Sequence, residues 1–326
     1  MKKTVETFII ALGFLLLAWI VIFTYKGITY QNEATSLQKT KEKISSDLSK
    51  MESVILSLEK DYVNLYKKVK NTDKSINKNN HVINKCGLLT YKNDKSESSA
   101  VLTGVKEIND DLINKFYITE PIGEKFKKQY NLYPQVEQFF VLDDTGYLRI
   151  YPKIDILTTI DPKTSFTEYT YYKKEEKLQW LNTPYFDPSG RGWLISLIKP
   201  MNLKNKNIGI LGIDFNLNKL NERYLDKNQI IINDQGIIIS GGKNALESLE
   251  VSQLNKYQLY DRIMKTKERD LEYNLLKSPN KKIRKFFNDF LDSPKNKYTI
   301  KFNEKYRIIV EKIEIIDSYL IEFIKI

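Results

Sequence analysis

Residue types able to do covalent chemistry are scarce in this chain. Histidine and cysteine occur once each, as His81 and Cys86. A nucleophile needs its base close by, and zinc needs three or four such ligands, so most triads and zinc sites are excluded. A single cysteine also forms no intrachain disulfide. His81 lies in a polar Lys/Asn run and reads as a solvated surface histidine. Cys86 reads as a small, semi-buried side chain. Ser240-Gly241-Gly242-Lys243 lacks the spacing of a phosphate loop. Carboxylates are plentiful, but none is paired at a spacing that one strand or helix would bring together. No enzyme activity, metal or cofactor is expected.

What remains is binding chemistry, concentrated between Glu168 and Asp214. Asp214 ends an apolar run, where an unpaired buried carboxylate costs several kcal/mol or more, on the order of a lost ion pair. It reads either as the partner of a ligand ammonium or as a cap for a helix beginning near Leu217. Asp187 starts Asp187-Pro188-Ser189-Gly190, a strong turn signal, and reads first as a turn residue. Tyr185 follows Pro184 and is either pocket wall or core. Tyr169, Tyr171, Tyr172 and Trp180 could form an aromatic box suited to a cationic head group, with core packing as the competing use. Glu168 adds negative charge beside them. Arg191 and Lys199 could instead serve an anionic ligand from a rim.

These residues need a sheet to hold them. Trp193 to Ile198 and the apolar run with Gly209, Gly212 and Asp214 read as two buried strands joined by a polar loop at Asn202 to Asn207. The rest of the chain supplies context for that sheet. With 326 residues it is long enough for about two domains, and 41% hydrophobic with 29% charged residues is a globular composition. The formal charge of +11 comes from lysines spread along the whole chain among Asp and Glu. No arginine-rich patch or nucleic-acid motif accompanies them, so no nucleic-acid partner is expected.

Residues Phe8 to Phe23 are almost continuously apolar and follow Lys2 and Lys3. With their flanks they can just span a bilayer. No Ala-x-Ala cleavage pattern follows, and Trp19 and Tyr25 sit at interfacial positions, which favours an uncleaved anchor over a signal peptide. From Gln31 to Asn71, the residues Leu37, Ile44, Leu48, Met51, Ile55, Leu58, Tyr62, Leu65 and Val69 recur at spacings of three and four. That seam reads either as packing on the chain's own domain or as a parallel homodimer contact. A helix is predicted from Ser99 through Lys115, and another over Leu246 to Lys265. Phe139–Leu148 and Ile230–Ile239 each read as strand, polar-Asp-polar-Gly turn, strand. Their recurrence about ninety residues apart predicts two related antiparallel lobes.

The ordered series Trp180, Pro184-Tyr185-Phe186-Asp187 and Gly209-Ile210-Leu211-Gly212-Ile213-Asp214-Phe215 resembles the double Cache (dCache) extracytoplasmic sensor domain of bacterial chemoreceptors and sensor kinases. The resemblance covers about residues 31 to 326. It implies an α+β fold: an N-terminal transmembrane helix, a long amphipathic helix and two tandem PAS-like antiparallel-sheet lobes. The expected boundaries are an anchor with a short cytoplasmic tail over 1–30, the long helix over 31–73, a membrane-distal lobe over 74–224 and a membrane-proximal lobe over 225–326.

Amino-acid-binding members of that family carry an Arg and a Trp two residues apart, then a Tyr and an Asp that hold the ligand ammonium. Tyr185 and Asp214 match the later pair. Tyr169 and Tyr171 stand where the Arg and Trp would be, so the fork-shaped donor for a ligand carboxylate is missing. The ligand-site expectation is therefore Asp214, Tyr185, Tyr169, Tyr171, Trp180, Glu168 and Asp187, with an amine or amino-acid-like ligand. The expected protein is a single-pass module of the inner (cytoplasmic) membrane with its main domain extracytoplasmic, or periplasmic. It would lack an output domain and pass its signal to a separate signalling protein. The alternative is a membrane-anchored, dimerising structural protein with no ligand.

Overall fold

The computed structural model describes residues 2–69, 80–85, 87–92, 97–168, 172, 177–187, 190–251 and 273–326, with backbone only for 2–15, 26 and 157. Helix α1 (Lys2–Tyr66) is one continuous element of 65 residues, about 100 Å long at 1.5 Å per residue. Leu16, Trp19, Ile20, Val21, Ile22 and Phe23 are exposed along its N-terminal part. Among the described residues no helix is long and apolar enough to cross a membrane. The side chains of 8–15, half of the expected anchor, lie outside the described residues.

Among the described residues two antiparallel sheets follow. The first has eight strands, β1 (His81–Ile83), β2 (Leu89–Tyr91), β3 (Ser99–Leu102), β4 (Val136–Leu142), β5 (Tyr147–Tyr151), β6 (Gln179–Phe186), β7 (Trp193–Leu203) and β8 (Lys206–Asn216), in the order β1-β2-β3-β5-β4-β8-β7-β6. The second has β9 (Gln229–Asn233), β10 (Ile238–Gly241), β11 (Lys297–Lys301), β12 (Lys305–Ile313) and β13 (Ser318–Lys325), in the order β10-β9-β13-β12-β11. The run β5-β4-β8-β7-β6 repeats as β10-β9-β13-β12-β11, so the recurrence of the two hairpins extends to whole strand orders. Each hairpin turns through a glycine in the left-handed region, Gly146 at φ 79° and Gly236 at φ 73°, a conformation that costs other residues.

The shorter helices are α2 (Asp110–Ile118), α3 (Ile122–Leu132), α4 (Ile156–Thr159), α5 (Leu217–Tyr224), α6 (Lys243–Ser248) and α7 (Lys281–Asp292). The helix predicted from Ser99 is instead strand β3 followed by a loop and then α2. Asn109 sets the helix start, its side chain accepting from the Leu112 amide, as an N-cap does. The helix predicted over Leu246 to Lys265 reduces to α6, and 252–272 lie outside the described residues.

The apolar seam of α1 is spent inside its own chain. Leu37, Ile44, Leu48, Met51, Ile55, Leu58 and Tyr62 are at most 2% exposed, in one core with Val141, Ile195, Ile213, Ile309 and Leu320 from both sheets. That is the packing alternative, so the homodimer expected through this seam cannot use those residues. Their burial holds one face of each sheet against one rigid rod.

Candidate functional site

Side chains alternate across each strand. On β8, Leu211, Ile213 and Phe215 face α1, while Ile210, Gly212 and Asp214 face away. In register, Asp214 stands opposite Gln138 of β4 and Ser196 of β7. The three polar side chains therefore form one row across three strands, on the face that α1 leaves uncovered. Tyr185 joins them from β6, where the pairing with β7 is irregular between Leu181 and Tyr185. Next along the row, Gly212 sits under the Phe140 ring. A Cβ there would lie 2.1 Å from the ring's Cζ, so only glycine allows this approach.

Asp214 is 1% exposed and takes three hydrogen bonds. Gln138 Nε2 donates to Oδ2 at 2.6 Å, Ser196 Oγ donates to Oδ1 at 2.5 Å, and Tyr185 donates its hydroxyl to Oδ1 at 3.0 Å. The Tyr185 and Ser196 hydroxyls are also 2.7 Å apart. Gln138 is buried, and among the described residues its Oε1 has no hydrogen-bond partner. Burial is the main force on Asp214. It raises the carboxyl to about 7, helped by the Asp187 charge and opposed by the donors Ser196, Gln138 and Tyr185. The site thus holds a carboxylate near its neutral point next to an open acceptor. An added positive charge would favour the ionised form and could donate to both oxygens.

The expected residues divide cleanly. Asp214 and Tyr185 meet through the hydrogen bond described above. Asp187 is 4% exposed and closes the loop after β6: its amide donates to the Gly192 carbonyl at 2.9 Å, and its carbonyl accepts from Gly190 at 2.9 Å. It is a turn residue whose charge also reaches Asp214. Asp214 caps no helix; Asn216 caps α5, accepting from the Asn218 and Lys219 amides.

Trp180 is a correction. Its ring packs on Phe215 with centroids 5.2 Å apart, and its indole donates to Glu52 of α1 at 2.9 Å. It faces α1, across the sheet from Asp214, because it pairs with Leu197 on the helix-facing row. It therefore forms no aromatic box with Asp214. Glu168 is exposed at the end of a short 3-10 turn. Tyr169 and Tyr171 lie outside the described residues. Arg191 donates to the backbone carbonyls of Glu137, Pro152 and Lys153, and Lys199 pairs with Glu59 of α1 at 3.4 Å, so neither forms an anion-binding rim. His81 is half-buried, its Nδ1 3.0 Å from the Tyr117 hydroxyl. Cys86 lies outside the described residues.

Gln138 and Ser196 were missed. The available signal was a single polar residue inside an otherwise apolar strand: Ser196 within Trp193–Ile198, and Gln138 just before Phe139-Phe140. Such a residue must find a partner once buried.

No family model and no curated protein matches this sequence. Solved structures do match the fold. The ligand-binding domain of the Pseudomonas fluorescens chemoreceptor CtaA, in complex with L-alanine, is similar with a TM-score of 0.53 at 12% identity, over 91% of this chain and 96% of that one. The sensory domain of the Campylobacter jejuni chemoreceptor Tlp3 (CcmL) is similar with a TM-score of 0.50 at 14% identity, over 91% of this chain and 93% of that one. The fold of this chain is the double Cache fold of chemoreceptor sensory domains.

Proposed function

We propose that the chain is a membrane-anchored, extracytoplasmic sensor module that binds a small ligand bearing an amine or another compact cation, and that it is not an enzyme. The observation that carries this reading is the Asp214 row. A carboxylate at about 7, the Gln138 Oε1 that has no partner among the described residues, and the Tyr185 hydroxyl converge on the sheet face that the long helix leaves uncovered. The chemoreceptor domains with the same fold support the sensing role, one of them in complex with L-alanine.

The anchor is the helix through Phe8 to Phe23, residues 74–224 form the membrane-distal lobe, and residues 225–326 form the proximal one. Ligand binding biases two positions of the distal sheet against α1, and a separate signalling protein reads the change. A ligand shifts such an equilibrium only by its differential affinity for the two states. Pairing of two copies would use the outward face of α1, where Ser46, Ser49, Ser53 and Leu56 are exposed, since the apolar seam is already covered.

A second reading, a dimerising surface protein without a ligand, is favoured by one observation: Asp214 already receives three donors from its own chain. A thermal-shift screen of the full chain in detergent separates the two. The sensor reading expects stabilisation by amines or amino acids, since a ligand bound only to the folded state raises stability. Absence of any stabilising compound across amines, amino acids and organic acids would favour the second reading.

A further inference from the structure

We infer that the open end of the second sheet is a docking surface for the anionic phospholipid headgroups of the bilayer that holds α1. This inference rests on the anchor reading above.

Two ion pairs give the relative level of helix and sheet. Glu33 of α1 pairs with Arg307 of β12 at 2.5 Å, and Lys41 pairs with Glu311 at 3.6 Å. Eight helix residues at 1.5 Å and four strand residues at about 3.3 Å both span roughly 12–13 Å. Helix and strand therefore climb together. Followed downward by the same arithmetic, Lys305 is level with about Thr29, and the β11–β12 hairpin tip at Asn303 with about residue 24. The apolar run ends at Phe23, so the tip stands within about 5 Å of it along the axis, inside the headgroup layer.

That end of the sheet is rimmed with lysine. Lys301 and Lys305 face each other across the hairpin, both exposed, and among the described residues neither makes an ion pair. Lys282, at the start of α7, reaches the Phe302 carbonyl at 3.4 Å. Lys297 lies four residues further up β11, paired with Ile309, and its ammonium sits over the Tyr30 ring, 3.8 Å from its centre, so it is no part of the rim at the tip. Lys325 is tied to Glu304, and Glu250 accepts from Asn280 and Asn303. Among the described residues, the side-chain carboxylates Glu304 and Glu250 at this end are thus already engaged, while Lys301 and Lys305 make no ion pair and are left for an outside partner. Lysines held at a membrane surface are attracted by anionic lipid, additively and within a Debye length.

The test uses the full chain in nanodiscs of phosphatidylcholine alone or with 30% phosphatidylglycerol (about one lipid in three). Amide hydrogen exchange is followed over residues 297–305. Exchange there is expected to slow at least about threefold in the anionic discs and to return to the neutral-lipid rate in the double variant Lys301→Glu, Lys305→Glu. Inorganic phosphate added to neutral discs should not reproduce the protection. Equal rates in both lipids, in a chain that co-purifies with the discs, would overturn the inference and leave the anchor standing. A chain that enters no disc of either composition would remove the anchor reading, and this inference with it.

Discussion

Two strand pairs of this molecule carry the same chemistry on opposite faces. In the first sheet Gln138 of β4 stands opposite Asp214 of β8; in the second, Gln229 of β9 stands opposite Glu322 of β13. These are equivalent strands of the repeated order. Burial, before any other cause, raises both carboxyls to about 7. Yet Gln138 lies eight residues before its hairpin glycine, Gly146, and Gln229 seven before Gly236. One residue of offset turns a strand side chain to the other face. Asp214 therefore looks away from α1, whereas Glu322 lies on the row that packs against α1, with the charges of Asp226 and Glu33 near it. The outer faces differ to match. In the second sheet, Phe286, Phe287 and Phe290 of α7 fill that face together with Phe302 and Tyr306. In the first, it ends in the polar row. A single structural unit thus serves as closed packing in one place and as an acceptor site in the other.

The largest effect that tests this contrast is on the filled face. Phe290→Ala, at a residue 1% exposed, should cost about 3–5 kcal/mol in chemical denaturation. Ligand affinity of the molecules that remain folded should not change. Loss of binding in that variant would mean that the two faces are not independent. The next effect is on the face that carries the polar row. Asp214→Ala should weaken ligand binding by at least about 30-fold, some 2 kcal/mol, as for a buried charge partner removed. Glu322→Ala should leave affinity unaltered in the same calorimetric titration. If Glu322→Ala abolished binding and Asp214→Ala did not, the assignment of faces would be reversed.

Legibility in the sequence followed the range of the interaction. The hairpins were readable because a turn glycine and its flanking apolar runs are neighbours in the chain. Asp214 and Tyr185 were readable as a pair through the resemblance. Gln138 was not, because its contact with Asp214 spans 76 residues and depends on which strands pair. The seam of α1 was legible as a period of 3.5, but period alone does not say whether the partner is a second copy or the same chain. Trp180 is the exception: plain alternation over the five residues to Tyr185 already sets the two on opposite faces, and the irregular β6–β7 pairing, four residues of β6 against two of β7, preserves that parity. Val101 and Val105 fit a helical spacing and a short strand equally well, an ambiguity inherent in brief apolar runs.

Gly212 sharpens the contrast at a smaller scale. Gly212→Ala sets a methyl against the Phe140 ring and should cost about 1–3 kcal/mol, as overpacking does. It should also displace that ring along the row toward Asp214, so ligand affinity should fall together with stability. An alanine variant with unaltered stability and affinity would show that the ring moves aside freely and that Gly212 does not shape the site.

The smallest effect, and the most discriminating, is the pH slope. Both carboxyls have folded-state values raised above 3.8 and 4.5, so the folded state holds more protons than the unfolded one between about pH 4 and 7. Stability from each group is then complete below its unfolded value and is lost as pH rises through about 7. One group contributes at most about 1.4 kcal/mol per pH unit, and Glu322 contributes less than Asp214 because it is less buried and more screened. Asp214→Asn and Glu322→Gln should each flatten the decline, the first more strongly. Ligand binding should run in the opposite direction. A cation needs the ionised Asp214, so affinity should rise up to about tenfold per unit below pH 7 and level off above it. Stability falls over this window for either carboxyl, but an affinity that rises there and loses its pH dependence in Asp214→Asn is expected only if Asp214 is also the group that binds. Parallel trends, or an affinity profile that survives Asp214→Asn, would assign the titration to Glu322 beneath the helix and remove Asp214 from the ligand site.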